Sequence, residues 1–410
     1  MKVLQINKYF YRKGGSETVF FNIMDLLEEH HHTVIPFSIR NNKNISNPYD
    51  SFFVDYAELS ESGFITKIKN LPSFFYNRRA AKQLEILIQK EKPDMAHIHL
   101  VFNSLSVAIL PVLKKHNIPV IMSVHDFRLI CPAYLFMDGE GNMCEQCLTK
   151  KSYLPCMTKK CSKGSFFNSA SLALDSYLRK YVIPITSYID HFLFVSHFSR
   201  KKHIEADYRY ENKSSALYNF TPIQKDPGIT KENYILYFGR VSGEKGIATL
   251  MQAMEGLPET KLKIIGSGPL LEEYAQKKYK NIEFLGYKTG KELENYIQRA
   301  LFVVVPSECY ENNPLSIVES FALGTPVIGS RIGGIPELIR ENENGFLFEP
   351  KSVTALQETL RKATLLSDKD YEDLCEGALA FAHKYFTKEA YYQELINIYN
   401  QVLNTNENRS

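Results

Sequence analysis

Short apolar runs alternate with helix-like segments almost from one end of the chain to the other. In the first half these runs lie at residues 3–7, 95–100, 120–124, 192–196 and 215–217. In the second half they lie at residues 234–239, 262–265, 282–285, 301–305 and 326–329. Such alternation is typical of parallel sheets built from strand–helix–strand units. It predicts an α/β chain with two doubly wound, Rossmann-like domains that face each other across a cleft.

Two domains fit the length of 410 residues, since each half is large enough to bury its own core. Residues 221–228, TPIQKDPG, carry two prolines and a glycine without a periodic pattern, so the linker is placed there. We therefore expect an N-terminal domain at 1–220 and a C-terminal domain at 228–387. A crossover helix and tail at 388–410 should pack back on the first domain.

Composition narrows the class of protein. Hydrophobic residues make up 44% and charged residues 23% of the chain, which is ordinary for a globular protein. The net charge of +3 is too small to indicate nucleic acid as a partner. No apolar stretch approaches the length of a membrane-spanning helix, and the N-terminal apolar run is too short for a signal peptide. A cytoplasmic protein is the expectation.

Two carboxylates, Glu311 and Glu319, flank the predicted start of a helix in the second half. Asn312 or Asn313 can cap this helix, and Pro314 suits its first position. The free backbone amides of a helix start bind anions. Glu311, just before them, can bind a neutral polar group, whereas Glu319 lies among apolar residues where an unpaired carboxylate is costly. A ligand with both phosphate and hydroxyl groups, such as a nucleotide sugar, suits this pattern.

Two glycine turns follow strands. Gly14-Gly15 follows the first strand, and the turn Gly266-Ser267-Gly268-Pro269 follows a strand of the second half. Neither completes a dinucleotide fingerprint or a P-loop, so each alone indicates a tight strand-to-helix turn. Gly15 opens the first helix, where the lack of a side chain lets a diphosphate approach the backbone.

Two cations follow the first strand of the second domain, in the segment FGRVSGEKG. Arg240 and Lys245 are far enough apart to bind one diphosphate from two sides. The alternative is a surface pair in which Lys245 bonds to Glu244.

His125 follows the apolar run 120–124 and should project from a strand end into the cleft. The alternative is a structural histidine held by its neighbour Asp126. His97 and His99 alternate on one face of their strand, which favours packing. The one Asp-x-Asp sequence, Asp368 to Asp370, favours a solvated helix start over a divalent-cation site.

Four cysteines fall within one short segment of a predicted Cys-rich insertion at about 131–165. The candidate zinc ligands are Cys144, Cys147, Cys156 and Cys161. A Cys-x2-Cys pair with a second pair nearby is typical of structural zinc, but free or redox-active thiols fit equally well. Cys131 is interpreted as an ordinary cysteine lying elsewhere. The lysines around the cluster, followed by Phe166 and Phe167, indicate either a membrane-surface contact or an amphipathic core helix.

Several motifs occur together in one order: Gly14-Gly15-Ser16-Glu17, His125-Asp126, GRVSGEKG, GSGP, Glu-x7-Glu and GTPVIGSRIGGIPELI. Together they resemble the retaining GT-B glycosyltransferases of the family 4 group. The resemblance implies a metal-independent enzyme in which His125, Arg240, Lys245 and Glu311 carry the catalytic step. It implies donor-binding residues at Gly14, Gly15, Arg240, Lys245, Gly268, Asn313, Pro314, Leu315, Ser316 and Glu319.

The same resemblance makes 1–220 the acceptor-side domain and 228–387 the nucleotide-sugar-binding domain, and it implies the reaction. The donor is a nucleoside diphosphate sugar, with UDP favoured over GDP as the nucleotide, and the acceptor is a glycan or a lipid-linked sugar. The reaction belongs to bacterial surface-polysaccharide or glycoconjugate synthesis, and the enzyme acts at the inner face of the cell membrane. Two alternatives stay open: a nucleotide-sugar epimerase of the same fold, and a catalytically silent homologue that acts as a binding module.

Overall fold

A computed structural model of the chain describes residues 1–56 and 71–407. The chain divides into two compact units. The N-terminal unit comprises Met1–Val195, Ser199–Leu217 and Tyr392–Ser410, and the C-terminal unit comprises Ser196–Phe198 and Tyr218–Tyr391. Each unit contains one six-stranded parallel sheet, which confirms the predicted α/β class with two doubly wound sheets. The predicted boundaries of the domains remain predictions. Residues 408–410 of the predicted tail lie outside the described residues.

The sheet of the N-terminal unit has the strand order β2-β1-β3-β4-β5-β6. Its strands are β1 (Lys2–Ile6), β2 (Thr33–Phe37), β3 (Met95–Ile98), β4 (Val120–Val124), β5 (His191–Phe194) and β6 (Ser214–Ala216). Its helices are α1 (Gly15–Glu29), α2 (Arg78–Glu91), α3 (Ile109–Lys115), α4 (Gln146–Thr149), α5 (Leu154–Thr158) and α6 (Phe166–Tyr177), and α7 (His197–Ala206) begins at the unit boundary. The strand order changes direction between β1 and β3, so their carboxyl ends mark a ligand-binding position.

The sheet of the C-terminal unit has the strand order β12-β11-β10-β7-β8-β9. Its strands are β7 (Glu232–Phe238), β8 (Leu262–Ile265), β9 (Ile282–Gly286), β10 (Ala300–Val305), β11 (Val327–Ser330) and β12 (Gly345–Phe348). Its helices are α8 (Ile247–Glu255), α9 (Leu271–Ala275), α10 (Gly290–Arg299), α11 (Leu315–Ala322), α12 (Ile335–Leu338), α13 (Val353–Thr364) and α14 (Asp368–Tyr385). Here the order reverses between β7 and β10, which places the ligand-binding position at their carboxyl ends.

The last helix, α15 (Lys388–Glu407), begins in the C-terminal unit and continues in the N-terminal unit. The fully buried Tyr399 places its hydroxyl 2.6 Å from His97 Nδ1. Tyr392 places its hydroxyl 2.9 Å from His32 Nε2. These contacts confirm that the C-terminal helix packs on the first domain.

Two strands of the structure were not predicted. Strand β2 contains Pro36 and lies at the edge of its sheet, where a missing N–H is tolerated, so its sequence lacks a clear strand signal. Strand β12 is short and also lies at an edge. No helix among residues 1–56 and 71–407 has the length and apolar character needed to cross a membrane.

Strand β7 and helix α8 are joined by a turn that fits tightly against the loop after β10. Gly246 has φ +71°, and a Cβ built on it would lie 1.7 Å from the carbonyl oxygen of Pro306. The N–H of Glu308 also donates to the carbonyl of Glu244 at 2.9 Å. The backbones after β7 and β10 are therefore held in direct contact.

We expect Gly246→Ala to lower the free energy of unfolding by about 2 kcal/mol or more, because it adds both a clash and a strained backbone conformation. Gly243→Ala is the matched control, since a Cβ at Gly243 meets nothing within 4 Å. Chemical denaturation of both variants measures the difference. Equal stability of the two variants would contradict the close packing of these loops.

Candidate active site

The loops after β7 and β10 bring a lysine and a glutamate together. Lys245 Nζ lies 2.5 Å from Glu311 Oε1. The hydroxyl of Ser307 donates to the same carboxylate oxygen at 2.6 Å. The Lys245 side chain is 32% exposed and that of Glu311 is 12% exposed, so the pair lies at the surface of the unit with its cation accessible. The sequence did not single out Ser307, whose one signal is its position directly after a buried strand.

Burial, the largest single influence, lowers the pKa of Lys245, but the charge and hydrogen bond of Glu311 together with the nearby Cys309 and Glu244 outweigh it, and the pKa is raised. Lys245 therefore carries its charge at neutral pH. The alternative pairing of Lys245 with Glu244 is wrong. Glu244 instead accepts a hydrogen bond from Ser242 Oγ at 2.7 Å and lies 3.8 Å from the Arg240 guanidinium.

Arg240 lies on the same loop as Lys245, and its side chain is 63% exposed. An exposed pair with Glu244 contributes little stability, so the guanidinium can exchange this partner for another anion at small cost. The loop thus presents two cations, one held by Glu311 and one largely in solvent.

A glycine turn after β11 supports the loop that carries Glu311. The N–H of Gly334 donates to the Glu311 carbonyl at 2.7 Å. A Cβ at Gly333 would lie 2.4 Å from the Glu311 carbonyl oxygen, and one at Gly334 would lie 1.9 Å from that of Asn312. Glycine is required at both positions because any side chain would displace the Glu311 loop.

Helix α11 begins one residue later than predicted. Pro314 occupies the N-cap position, and no side chain caps the helix start. The predicted cap by Asn313 is wrong, because the Asn313 side-chain oxygen accepts from the backbone N–H of Asn219 at 2.9 Å. The start of α11, with Leu315 and Ser316 as its first residues, therefore offers backbone N–H groups to an anion.

Glu319 lies one turn inside α11 and is half-buried. Burial raises the pKa of its carboxyl to about 7, and the negative charge of Glu294 adds to the effect. Within residues 1–56 and 71–407 the structure records no hydrogen bond or ion pair to this carboxylate. A carboxylate in this state gains most from hydroxyl groups that donate to it.

The second glycine turn has a packing role. A Cβ at Gly266 would lie 1.8 Å from the carbonyl oxygen of Gly239, and one at Gly268 would lie 2.2 Å from that of Val241. The N–H of Val241 donates to the Ser267 carbonyl at 2.9 Å. The turn after β8 therefore fixes the course of the loop that carries Arg240. The predicted donor contact of Gly268 stays a prediction.

In the N-terminal unit, His125 follows β4 and bonds to another histidine. Its Nε2 lies 2.9 Å from Nδ1 of His99, whose Nε2 lies 3.2 Å from Gln5 Oε1. With the Gln5 amide assigned in this way, His99 donates to Gln5 and accepts from His125. The Asp126 carboxylate accepts from the N–H of Arg128 at 2.9 Å, and the alternative in which Asp126 holds His125 stays a prediction.

Burial lowers the pKa of His125 to about 4. Burial, followed by the nearby His125, lowers the pKa of His97 to about 3. Both imidazoles are therefore neutral at pH 7, and His125 offers a hydrogen bond rather than a charge. His97 and His99 are fully buried, which confirms packing as their role.

The first glycine turn lies at the start of α1. Gly14 occupies the N-cap position and Gly15 is the first helical residue, and no side chain caps this helix start. The predicted contact of Gly14 and Gly15 with a diphosphate stays a prediction.

The seven cysteines are all free thiols. Within the part of the chain that the structure describes, no group of three or more His, Cys, Asp or Glu side chains is placed to hold a metal ion. The zinc site at Cys144, Cys147, Cys156 and Cys161 stays a prediction. One interpretation is corrected: Cys131 lies close enough to Cys147 and Cys161 to interact with them electrostatically.

The Asp-x-Asp sequence lies at an exposed helix start, as expected. Asp368 is the first residue of α14, and Ser367 caps this helix by accepting from the N–H of Asp370 at 3.2 Å.

We expect Glu319→Gln to raise the melting temperature by a few degrees at pH 8 but not at pH 5. The folded-state pKa of about 7 exceeds the ordinary value of 4.5, so stability falls as pH rises through this window. Glutamine does not ionise, so the variant avoids this loss of stability at high pH. Glu376→Gln, at an exposed position of α14, is the control and should change neither melting temperature. Equal shifts for Glu319→Gln at the two pH values would contradict a buried carboxyl.

Comparison with known proteins gives two family matches. Residues 13–225, more than half of the chain, match Glycosyltransferase Family 4, and residues 219–379 match Glycosyl transferases group 1. A 42.6 kDa protein in the cps region of Klebsiella pneumoniae is 25% identical over 368 residues, covering 85% of this chain and 90% of that protein.

Two solved structures share the fold. The Anabaena protein Alr3699/HepE in complex with UDP has a TM-score of 0.65 and 17% identity, covering 98% of this chain and 100% of that chain. WaaG, a glycosyltransferase involved in lipopolysaccharide biosynthesis, has a TM-score of 0.64 and 15% identity, covering 97% and 99%. The chain belongs to the family 4 glycosyltransferases and has the GT-B fold.

Proposed function

We propose that this glycosyltransferase moves a sugar from a nucleoside diphosphate sugar to a glycan or lipid-linked acceptor, with retention at the anomeric carbon and without a catalytic metal. The observation that carries the proposal is the Lys245–Glu311 pair at the carboxyl ends of β7 and β10. This is where a doubly wound sheet binds its ligand.

The diphosphate of the donor occupies the cationic loop. Lys245 keeps its charge near Glu311, and Arg240 is exposed beside it. The free N–H groups at the start of α11 add a third positive element. These groups stabilise the charge that develops on the leaving diphosphate, which is the work that a divalent cation does in other transferases.

The hydroxyl groups of the donor bind the two carboxylates. Glu319, whose pKa of about 7 makes it half-ionised at neutral pH, accepts from the ribose hydroxyls. Glu311 accepts from hydroxyls of the transferred sugar, assisted by the backbone from Asn313 to Ser316. Glu311 bonds to Lys245 in the free protein, so donor binding places the diphosphate and the sugar on either side of this pair.

Transfer follows a front-face course. The acceptor oxygen bonds to the anomeric carbon while the bond from that carbon to the diphosphate oxygen breaks, and the acceptor proton passes to a donor phosphate oxygen. Glu311 is not proposed as a nucleophile, because one of its oxygens already accepts from both Lys245 and Ser307. Following the family resemblance, His125 contacts the sugar, and Gly14 and Gly15 lie beside the diphosphate.

The choice of UDP rests on the structural similarity to the Anabaena protein that was crystallised with UDP. The choice of surface polysaccharide or glycoconjugate synthesis rests on the similarity to WaaG. We place the enzyme in the cytoplasm, at the inner face of the cell membrane, where a lipid-linked acceptor would be reached.

A panel of UDP-, GDP- and ADP-sugars tests the donor class. We expect one UDP-sugar to bind in saturation-transfer NMR and to release UDP slowly by hydrolysis, with the rate unchanged in EDTA. Selective binding of a GDP- or ADP-sugar would overturn the nucleotide assignment. Binding of no donor would favour the silent homologue, and interconversion of one sugar nucleotide into another would favour the epimerase.

Substitution of the central pair tests the site. We expect Lys245→Ala and Glu311→Ala each to reduce transfer by about 100-fold or more, because each removes a group that contacts the donor in the transition state. Both side chains are partly exposed, so circular dichroism should show a retained fold. Lys277→Ala and Glu273→Ala are the controls, since that pair is more than half exposed on α9 and its flank. Near wild-type turnover in the first two variants would contradict the site.

A further inference from the structure

Exposed apolar side chains are concentrated in one part of the N-terminal unit. Six of the twelve large hydrophobic residues recorded as exposed fall between Leu154 and Val182. The six are Leu154, Phe166, Phe167, Leu174, Tyr181 and Val182. A concentration of exposed apolar side chains of this kind usually marks an interaction site.

In helix α6 the distribution of polar and apolar residues is the reverse of that in an ordinary surface helix. Its buried residues are small or polar: Ser169, Ser171, Ala173, Asp175 and Ser176. Its largest apolar residues face solvent, with Phe166 55%, Phe167 46% and Leu174 58% exposed. Phe167 and Leu174 are seven residues apart and therefore lie on one face of the helix. The interpretation of this segment as an amphipathic core helix is wrong.

The apolar face continues beyond the end of α6. A π-helical turn over Leu178–Val182 follows directly, and it exposes Tyr181 by 63% and Val182 by 69%. The rings of Tyr177 and Tyr181 stack with their centroids 6.2 Å apart, which fixes the direction of the second ring. We call Phe166, Phe167, Leu174, Tyr181 and Val182 the α6 face.

Basic residues predominate in the segment that carries the α6 face. Residues 146–189 contain six lysines and one arginine but a single acidic residue, Asp175. Asp175 is buried and pairs with Arg179 at 2.9 Å. Of the lysines, Lys159 pairs with Asp138, whereas Lys150, Lys151, Lys160 and Lys163 are exposed. The segment that carries the exposed apolar residues therefore also carries an excess of exposed positive charge.

The positive charge of this segment distinguishes among the partners that could bind the α6 face. A second copy of this chain, docked by a twofold contact, would place the same lysines against one another. A free glycan would leave Phe167 and Leu174 largely in water. An anionic bilayer supplies negative headgroups for the lysines and hydrocarbon for the apolar side chains, as interfacial helices require.

We propose that the α6 face inserts at shallow depth into an anionic lipid bilayer while Lys150, Lys151, Lys160 and Lys163 contact its headgroups. The helix lies in the plane of the interface, and its polar side stays on the protein. This inference deepens the proposed location at the membrane. It requires no sugar donor, so it can fail or succeed independently of the proposed reaction.

Vesicle co-sedimentation of the full chain tests the apolar contact. We expect binding to phosphatidylglycerol–phosphatidylcholine vesicles and little binding to phosphatidylcholine alone. The double substitution Phe167→Ser, Leu174→Ser should weaken binding roughly ten-fold or more. The control is Tyr287→Ser, Leu365→Ser, at apolar positions of the C-terminal unit that are 70% and 83% exposed. Because all four residues are exposed, the fold should survive, which thermal melting checks.

Charge substitutions test the headgroup contact. Lys150→Gln and Lys160→Gln should each weaken binding to the anionic vesicles roughly five-fold, whereas Lys369→Gln on α14 should not. Unchanged binding in the serine double variant would overturn the proposal, as would equal binding to neutral vesicles. A dimer in analytical ultracentrifugation that the serine double variant dissociates would show that the α6 face binds a second copy instead.

Discussion

Strands β7 and β10 lie side by side in parallel, and the position of every charged group of the proposed donor site depends on this adjacency. Lys245 follows β7 and Glu311 follows β10, 66 residues further along the chain, yet their side chains meet at 2.5 Å. The contact is possible because Gly246 lets one backbone approach Pro306, and because Gly333 and Gly334 support the Glu311 loop from the other side. Glycine at these positions therefore serves the site by allowing backbones to touch.

Much of the fold follows from sequence pattern. The runs at 120–124 and 262–265 coincide with β4 and β8, since strands of a parallel sheet covered on both faces are rich in apolar residues. The edge strands β2 and β12 were not predicted, because both are short and Pro36 in β2 and Gly345 in β12 weaken the strand signal. The residue types at the site were also predictable. Their pairings were not, because alternation gives the order of elements along the chain but not which strands are neighbours. The sequence offered only Glu244 as an alternative partner of Lys245 and did not predict its contact with Glu311.

The C-terminal unit holds ionisable side chains in states that cost folding free energy, at the position where we propose that the donor binds. Glu319 retains a carboxyl whose pKa burial raises to about 7, without a recorded partner among the described residues. In the N-terminal unit, burial keeps His125 neutral, so this imidazole offers a hydrogen bond rather than a charge. Lys245 is the opposite case, because Glu311 and the nearby Cys309 and Glu244 together preserve its charge in a partly buried position. These states separate hydroxyl-binding groups from phosphate-binding groups, which is the separation that a nucleoside diphosphate sugar requires.

The measurement that tests the central claim most directly is a crystal structure of the chain with UDP and a non-hydrolysable UDP-sugar. The account predicts that the diphosphate lies within hydrogen-bonding distance of Lys245 Nζ and the Arg240 guanidinium, at the start of α11, with the ribose hydroxyls on Glu319. A nucleotide bound elsewhere, with the Lys245–Glu311 pair and Glu319 untouched, would contradict it.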